Sequence, residues 1–234
     1  MDRNRLTFID IFRQFSLLVV MPAAVLLGIG VALVVIARDW RLVLFGYALF
    51  SVMLALLLAQ VVPPEWALLQ AIVGGLIAVM SFLSASQLRG RRPGGMSHET
   101  RWPQMASLSS FRLMAVMLAA VAFFVVRDSG ATSALWGGLP QVNPLLRDAL
   151  LWIAVIGVIG LALHDEPLHA GLSLLILMGG AQLFLFSLMQ RRMLVGLLEA
   201  LQLLLGLAIA YLTVSRGLAT TDVADEPPTS GWGL

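Results

Sequence analysis

Seven apolar stretches, each about 20 residues long, alternate with short polar breaks along the chain. The spans fall at 15–37, 42–62, 65–84, 105–126, 145–163, 168–189 and 193–214. At 1.5 Å per residue each is long enough for a hydrocarbon core of about 30 Å. Backbone polar groups in lipid must be satisfied within their own segment, so a run of this kind is helical. The pattern predicts an all-α, polytopic transmembrane bundle of about seven helices. It forms a single domain over 1–214, followed by a tail, 215–234. The tail is small, polar and acidic (Asp222, Asp225, Glu226, Pro227, Pro228) and is expected to be disordered.

The breaks at 38–41, 63–64, 164–167 and 190–192 are tight, which forces antiparallel neighbours. Two longer connections, 85–104 and 127–144, are too short to form a domain. The basic N-terminus lacks an A-x-A-like cleavage site after its apolar run and is read as leading into a retained first helix. Leu6, Ile9, Phe12 and Phe15 share one side of a short preceding helix, which would lie in the interface. With the N-terminus outside, the two sides carry eight arginines and seven, so charge gives almost no orientation. The dense Arg89–Arg91–Arg92 cluster favours a cytoplasmic 85–104 loop, and hence an outside N-terminus. Arg38-Asp39 and Arg147-Asp148, followed by Gly74-Gly75 and Gly179-Gly180, form a faint internal echo. As a repeat it would be inverted in the membrane.

Composition supports the membrane reading and removes several chemistries. The chain is 59% hydrophobic and 12% charged, with mean hydropathy +0.92. The net charge of +2 is too small to argue for nucleic acid, and every basic residue is Arg. The absence of cysteine excludes disulfides, thiolate metal sites, iron–sulfur ligation and a cysteine nucleophile. No Gly-rich phosphate loop, no His pair suited to haem and no Ser/His/Asp arrangement occurs. The chain is therefore not expected to hold a cofactor or to carry an active site of its own.

Glu199 is the candidate for chemistry. It stands about two turns into the seventh span, where an acid costs about 2.5–3.5 kcal/mol on insertion scales unless a partner or protonation offsets it. It is read either as a proton-relay or ion-path carboxyl, or as an interfacial acid facing Arg191 or Arg192. Gln202 and Gly206 share its helix face, which is expected to be a helix–helix contact. Gln60, Gln70 and Gln182 also fall in spans and are read as interhelical hydrogen-bonding amides. His164, Asp165, Glu166 and His169 are the densest set of ligand-type side chains. Their spacing matches no zinc motif, and Pro167 makes the segment a tight turn where polar residues are expected. No metal is assigned, and these four are the set from which a site would be drawn. Trp40, Trp66, Trp102, Trp136 and Trp152 read as interfacial belt residues.

The stretch 172–212, LSLLILMGGAQLFLFSLMQRRMLVGLLEALQLLLGLAIAYL, resembles the first two helices of the K-type membrane subunit of respiratory complex I and of hydrogenase-4 component E. The residues that carry the resemblance are Gly179, Gly180, Arg191, Arg192, Gly196 and Glu199: a Gly-bearing helix, a tight basic turn, then a helix with Gly and a buried Glu. The segment 38–60, RDWRLVLFGYALFSVMLALLLAQ, resembles an early hairpin of the hydrogenase component. Ala200 follows Glu199 where the family commonly has an amide, and no further helix follows to carry the K subunit's second Glu. The resemblance implies a non-catalytic, multi-pass subunit of the cell (inner) membrane, assembled with other integral membrane subunits and surrounded by lipid. In that setting Glu199 would lie on a proton or cation path with Gln202 as its hydrogen-bonding neighbour. The alternatives are a stand-alone small membrane transporter or a structural membrane protein.

Overall fold

The computed structural model describes residues 8–90, 102–129, 144–164, 166–188 and 192–222. They form seven helices and no strand: α1 (Phe8–Ile36), α2 (Trp40–Leu58), α3 (Pro64–Gly90), α4 (Trp102–Asp128), α5 (Pro144–Leu163), α6 (Pro167–Leu188) and α7 (Arg192–Asp222). Six of them contain segments long and apolar enough to cross a membrane. The chain is a multi-pass membrane helix bundle. Proline opens α3, α5 and α6 at the position where its missing N–H costs nothing and its fixed φ suits the helix.

The bundle is two layers of three helices. One layer is α1, α2 and α3, the other α5, α6 and α7, and α1 packs on α5, α2 on α6 and α3 on α7. Paired helices run in the same direction: Gly28 meets Trp152 and Val35 meets Gly160 between α1 and α5, while Gln70 meets Gln202 and Ile77 meets Gly206 between α3 and α7. α4 stands outside against α1 and α5, with 11% of its apolar span buried, against 56% for both α2 and α6. The buried core of the bundle includes Leu27, Val31 and Val34 of α1, Tyr47, Phe50 and Leu54 of α2, Ile153 and Ile156 of α5, and Leu172, Leu175 and Phe186 of α6.

Small residues set the distances between helices. A Cβ at Gly30 would stand 2.9 Å from the Gly46 carbonyl oxygen, and one at Gly46 would stand 2.9 Å from that of Gly30. α1 and α2 therefore touch backbone to backbone, the close approach that small residues allow between membrane helices.

Several expectations are corrected. α1 is one continuous helix from Phe8, so no separate interfacial helix precedes it over the described residues. α2 ends at Leu58, which places Gln60 in the exposed turn before α3 rather than inside a span. α7 runs on to Asp222, so the first residues of the expected tail are helical, and 223–234 lie outside the described residues. The echo would relate α2 to α5 and α3 to α6; in the packing α1 lies on α5, α2 on α6 and α3 on α7.

Candidate functional site

Polar side chains from four helices meet inside the bundle. Tyr47 and Ser51 come from α2, Gln70 from α3, Gln182 from α6, and Glu199 and Gln202 from α7. All are buried: Glu199 is 3% exposed and Gln70, Gln182 and Gln202 are 0%. Glu199 stands seven residues into α7, about 10 Å along the axis, and Gln202 about 15 Å. The cluster therefore reaches from one half of the membrane toward its middle.

The local sequence explains how these groups arrive. Glu199, Gln202 and Gly206 are spaced at three and four residues, so they share one stripe of α7. Gly206 seats that stripe on α3, where an added Cβ would come 2.6 Å from Ile77 Cγ1. Gly74 of α3 fits directly over the Ser51 side chain of α2, and a Cβ there would collide with it. Gly179 of α6 lies against Phe50 and Leu54 of α2. Three glycines thus draw α2, α3, α6 and α7 close enough for short polar side chains to touch across the seam.

Gln70 is the hub. One terminal atom of its amide lies in close contact with one Glu199 carboxyl oxygen, 3.2 Å from the other, and 3.1 Å from Gln182 Oε1. The other terminal atom lies 3.2 Å from Gln202 Oε1. Gln202 Nε2 lies 3.5 Å from the Tyr47 hydroxyl oxygen. The result is one line of contacts, Glu199–Gln70–Gln202–Tyr47, with Gln182 beside it. Gln182 Nε2 and Ser51 Oγ make no hydrogen bond with the described atoms. Among the described residues no Arg or His lies within ion-pair distance of Glu199.

No known protein family, curated protein or solved structure matches this chain.

The structure therefore joins two groups that the sequence presents separately. Glu199 and Gln202 are expected on one face, and Gln70 and Gln182 are expected as interhelical amides; all four form one cluster. Tyr47 and Ser51 do not stand out in the sequence, because a Tyr within RLVLFGYALF and a Ser within an apolar run are ordinary core residues. The one available signal is the four-residue spacing of Tyr47 and Ser51, which places both on one face of α2. The interfacial alternative for Glu199, facing Arg191 or Arg192, involves side chains that lie outside the described residues.

The second polar group is at the turn between α5 and α6. The His164 and His169 rings stack with centroids 4.9 Å apart and planes 5° from parallel. The Gly160 carbonyl, 2.8 Å from His164 Nδ1, assigns that nitrogen the proton. His169 Nδ1 lies 3.0 Å from Glu166 Oε2. Burial holds the His164 imidazole below its ordinary pKa of 6.5, and the nearby Arg112 guanidinium pushes in the same direction, while the Gly160 carbonyl opposes both. Stacked rings turn their faces, not their lone pairs, toward one another. Among the described residues no three His, Asp or Glu side chains gather in a metal-sized group. Asp165, the remaining candidate, lies outside them.

Trp152 fills neither an interface nor a belt alone: its indole Nε1 donates to the Gly28 carbonyl at 3.2 Å and its ring meets Phe123 edge-on. It lines a cleft of about 430 Å³ between α1, α4 and α5. The Arg127–Asp148 ion pair, at 3.1 Å, lies at the same cleft.

Proposed function

We propose that this chain is an accessory integral subunit of a complex-I-like or hydrogenase-4-like assembly in the cell (inner) membrane, where it contributes to proton or cation translocation. The observation that carries the reading is Glu199: a carboxyl buried inside the bundle, with an amide rather than a cation as its partner. A membrane helix tolerates such a group when it has a role in charge movement or an internal partner, and here it has a partner that suits either protonation state. The resemblance of 172–212 to the K-type subunit, whose Glu corresponds to Glu199, supports the choice of assembly. In this reading Glu199 takes up and releases the proton, and Gln202 and Gln70 hold its surroundings. Lipid and neighbouring membrane subunits are the partners, and the chain performs no chemistry on a substrate of its own.

The test has two parts. Mild-detergent purification of the tagged chain from its native membrane is expected to bring down antiporter-like or hydrogenase-like membrane subunits. Recovery alone or as a homo-oligomer would remove the subunit reading and favour a stand-alone transporter. With the assembly in hand, Glu199→Gln keeps the shape of the side chain and removes its titration. It is expected to abolish most proton translocation while the complex still assembles. Unchanged translocation in an intact complex would remove Glu199 from the path.

A further inference from the structure

We propose that Gln70, Gln182 and Gln202 transmit the protonation state of Glu199 to Tyr47 by reversing the direction of a hydrogen-bond chain between α7, α3 and α2. The inference rests on the reading of Glu199 as a proton site and specifies what its titration does.

The argument begins with the donor and acceptor inventory. An ionised carboxylate only accepts hydrogen bonds, whereas a carboxylic acid also donates one. Gln70 faces Glu199 with one end of its amide and Gln202 with the other. When Glu199 is ionised, the Gln70 NH₂ must face it, and the second N–H of that group reaches Gln182 Oε1 at 3.1 Å. The Gln70 carbonyl then faces Gln202, whose NH₂ turns to donate across the 3.2 Å contact. The Gln202 carbonyl is left facing Tyr47, whose hydroxyl donates to it. Every bond along the line from Tyr47 through Gln202 and Gln70 points toward Glu199.

When Glu199 is protonated, each bond reverses. The acid O–H donates to the Gln70 carbonyl, and Gln182 turns its otherwise unpartnered NH₂ to the same oxygen. The Gln70 NH₂ donates to Gln202 Oε1 at 3.2 Å. The Gln202 NH₂ donates to the Tyr47 oxygen at 3.5 Å. Every bond now points away from Glu199, and the Tyr47 hydroxyl has lost its acceptor.

A mismatch between Gln70 and Gln202 is disfavoured. It would set two carbonyls or two NH₂ groups face to face about 3.2 Å apart at fully buried positions, leaving polar atoms unsatisfied where water cannot compensate. The amide O and N are alike in size, so each reversal is a half-turn of a terminal amide and moves no helix. The proton comes from the aqueous phase or a neighbouring subunit and forms one O–H bond on Glu199. No covalent bond in the protein breaks, and no proton passes through the amides. What travels is the direction of hydrogen bonding.

The groups that face Glu199 are Gln70 from α3, Gln182 from α6 and, through Gln202 on its own helix, Tyr47 from α2. Tyr47 is the titratable group among them. Gln70, Gln182 and Gln202 are positioning residues in this scheme.

The test uses the full chain in lipid, followed by infrared difference spectroscopy between acid and alkaline pH. The chain has two tyrosines, and Tyr211 is 71% exposed on the outer face of α7. Tyr211→Phe therefore leaves Tyr47 as the one source of a ring-labelled tyrosine signal. Acidification is expected to bring in a carboxylic acid band, assigned to Glu199 by its loss in Glu199→Gln. The tyrosine C–O band should shift with the same midpoint. Gln202→Leu, which cuts the chain in the middle, should abolish the tyrosine shift and keep the Glu199 band. A Glu199 band that rises while the tyrosine band stays still overturns the inference, as does a tyrosine shift that survives Gln202→Leu. The comparison in the chain with native Gln202 stands by itself if Gln202→Leu does not fold. Absence of a Glu199 band at any pH overturns the proton-site reading itself.

Discussion

Gln70 sits where two requirements coincide, since it must fill the space between α3 and α7 and also satisfy a carboxyl. Gln70→Leu keeps the volume and removes the amide in contact with both Glu199 oxygens. Leaving a buried polar group without its partner costs about 1–3 kcal/mol. Thermal denaturation in a fixed detergent is expected to show that loss, and Gln70→Leu with Glu199→Leu together should recover part of it. A second residue-scale outcome concerns His164, whose pKa is lowered by burial in the folded chain. The unfolded chain takes up its proton near the ordinary 6.5, and the folded one does so only at lower pH. Below about 6.5 the unfolded state therefore binds more protons, and stability falls as pH falls. The slope from this residue is at most about 1.4 kcal/mol per pH unit. His164→Phe should flatten the decline in melting temperature between pH 7 and 5. A decline of the same steepness in the variant would assign it to other groups.

At the scale of the helix, the spans were legible in the order of residues, because lipid enforces length and apolarity on each segment independently of its neighbours. The extent of each helix was less so. Gln60 continues an apolar pattern yet lies beyond the end of α2, where the chain turns ahead of Pro63-Pro64. α7 continues past Val214 to Asp222, through Gly217, over a stretch that holds no proline. Glycine is where the helix and its neighbour interact most directly, and two positions make opposite outcomes testable. Gly30→Ala would put a Cβ against the backbone of α2, which cannot move aside locally, and should destabilise by about 1–3 kcal/mol. Gly75→Ala meets nothing within 4 Å and should stabilise by as much as about 1 kcal/mol through helix propensity alone. Denaturation of the two variants side by side separates packing from propensity. Equal effects would mean that α1 and α2 do not meet as closely as the Gly30–Gly46 contact requires.

For the whole molecule, crossing number makes a direct prediction. α2 separates Arg38 from Gln60, so single cysteines at these positions in the naturally cysteine-free chain should react with an impermeant maleimide from opposite sides. With the 85–104 loop in the cytoplasm, Gln60→Cys is the one labelled from outside. Labelling of both from one side would break the topology. The residue order alone carried the class of fold, the number of helices and the presence of one costly carboxyl, because each follows from the solvation of a single segment in hydrocarbon; six of the seven apolar stretches meet the length and apolarity of a span in the structure. Glu199 and Gln202 were visible together because helical spacing puts them on one stripe. That Gln70, Gln182 and Tyr47 meet this stripe was decided by the tertiary structure. A helix states which of its faces is polar, but the choice of the face opposite it depends on how glycines on α3, α6 and α7 let the backbones close around the seam.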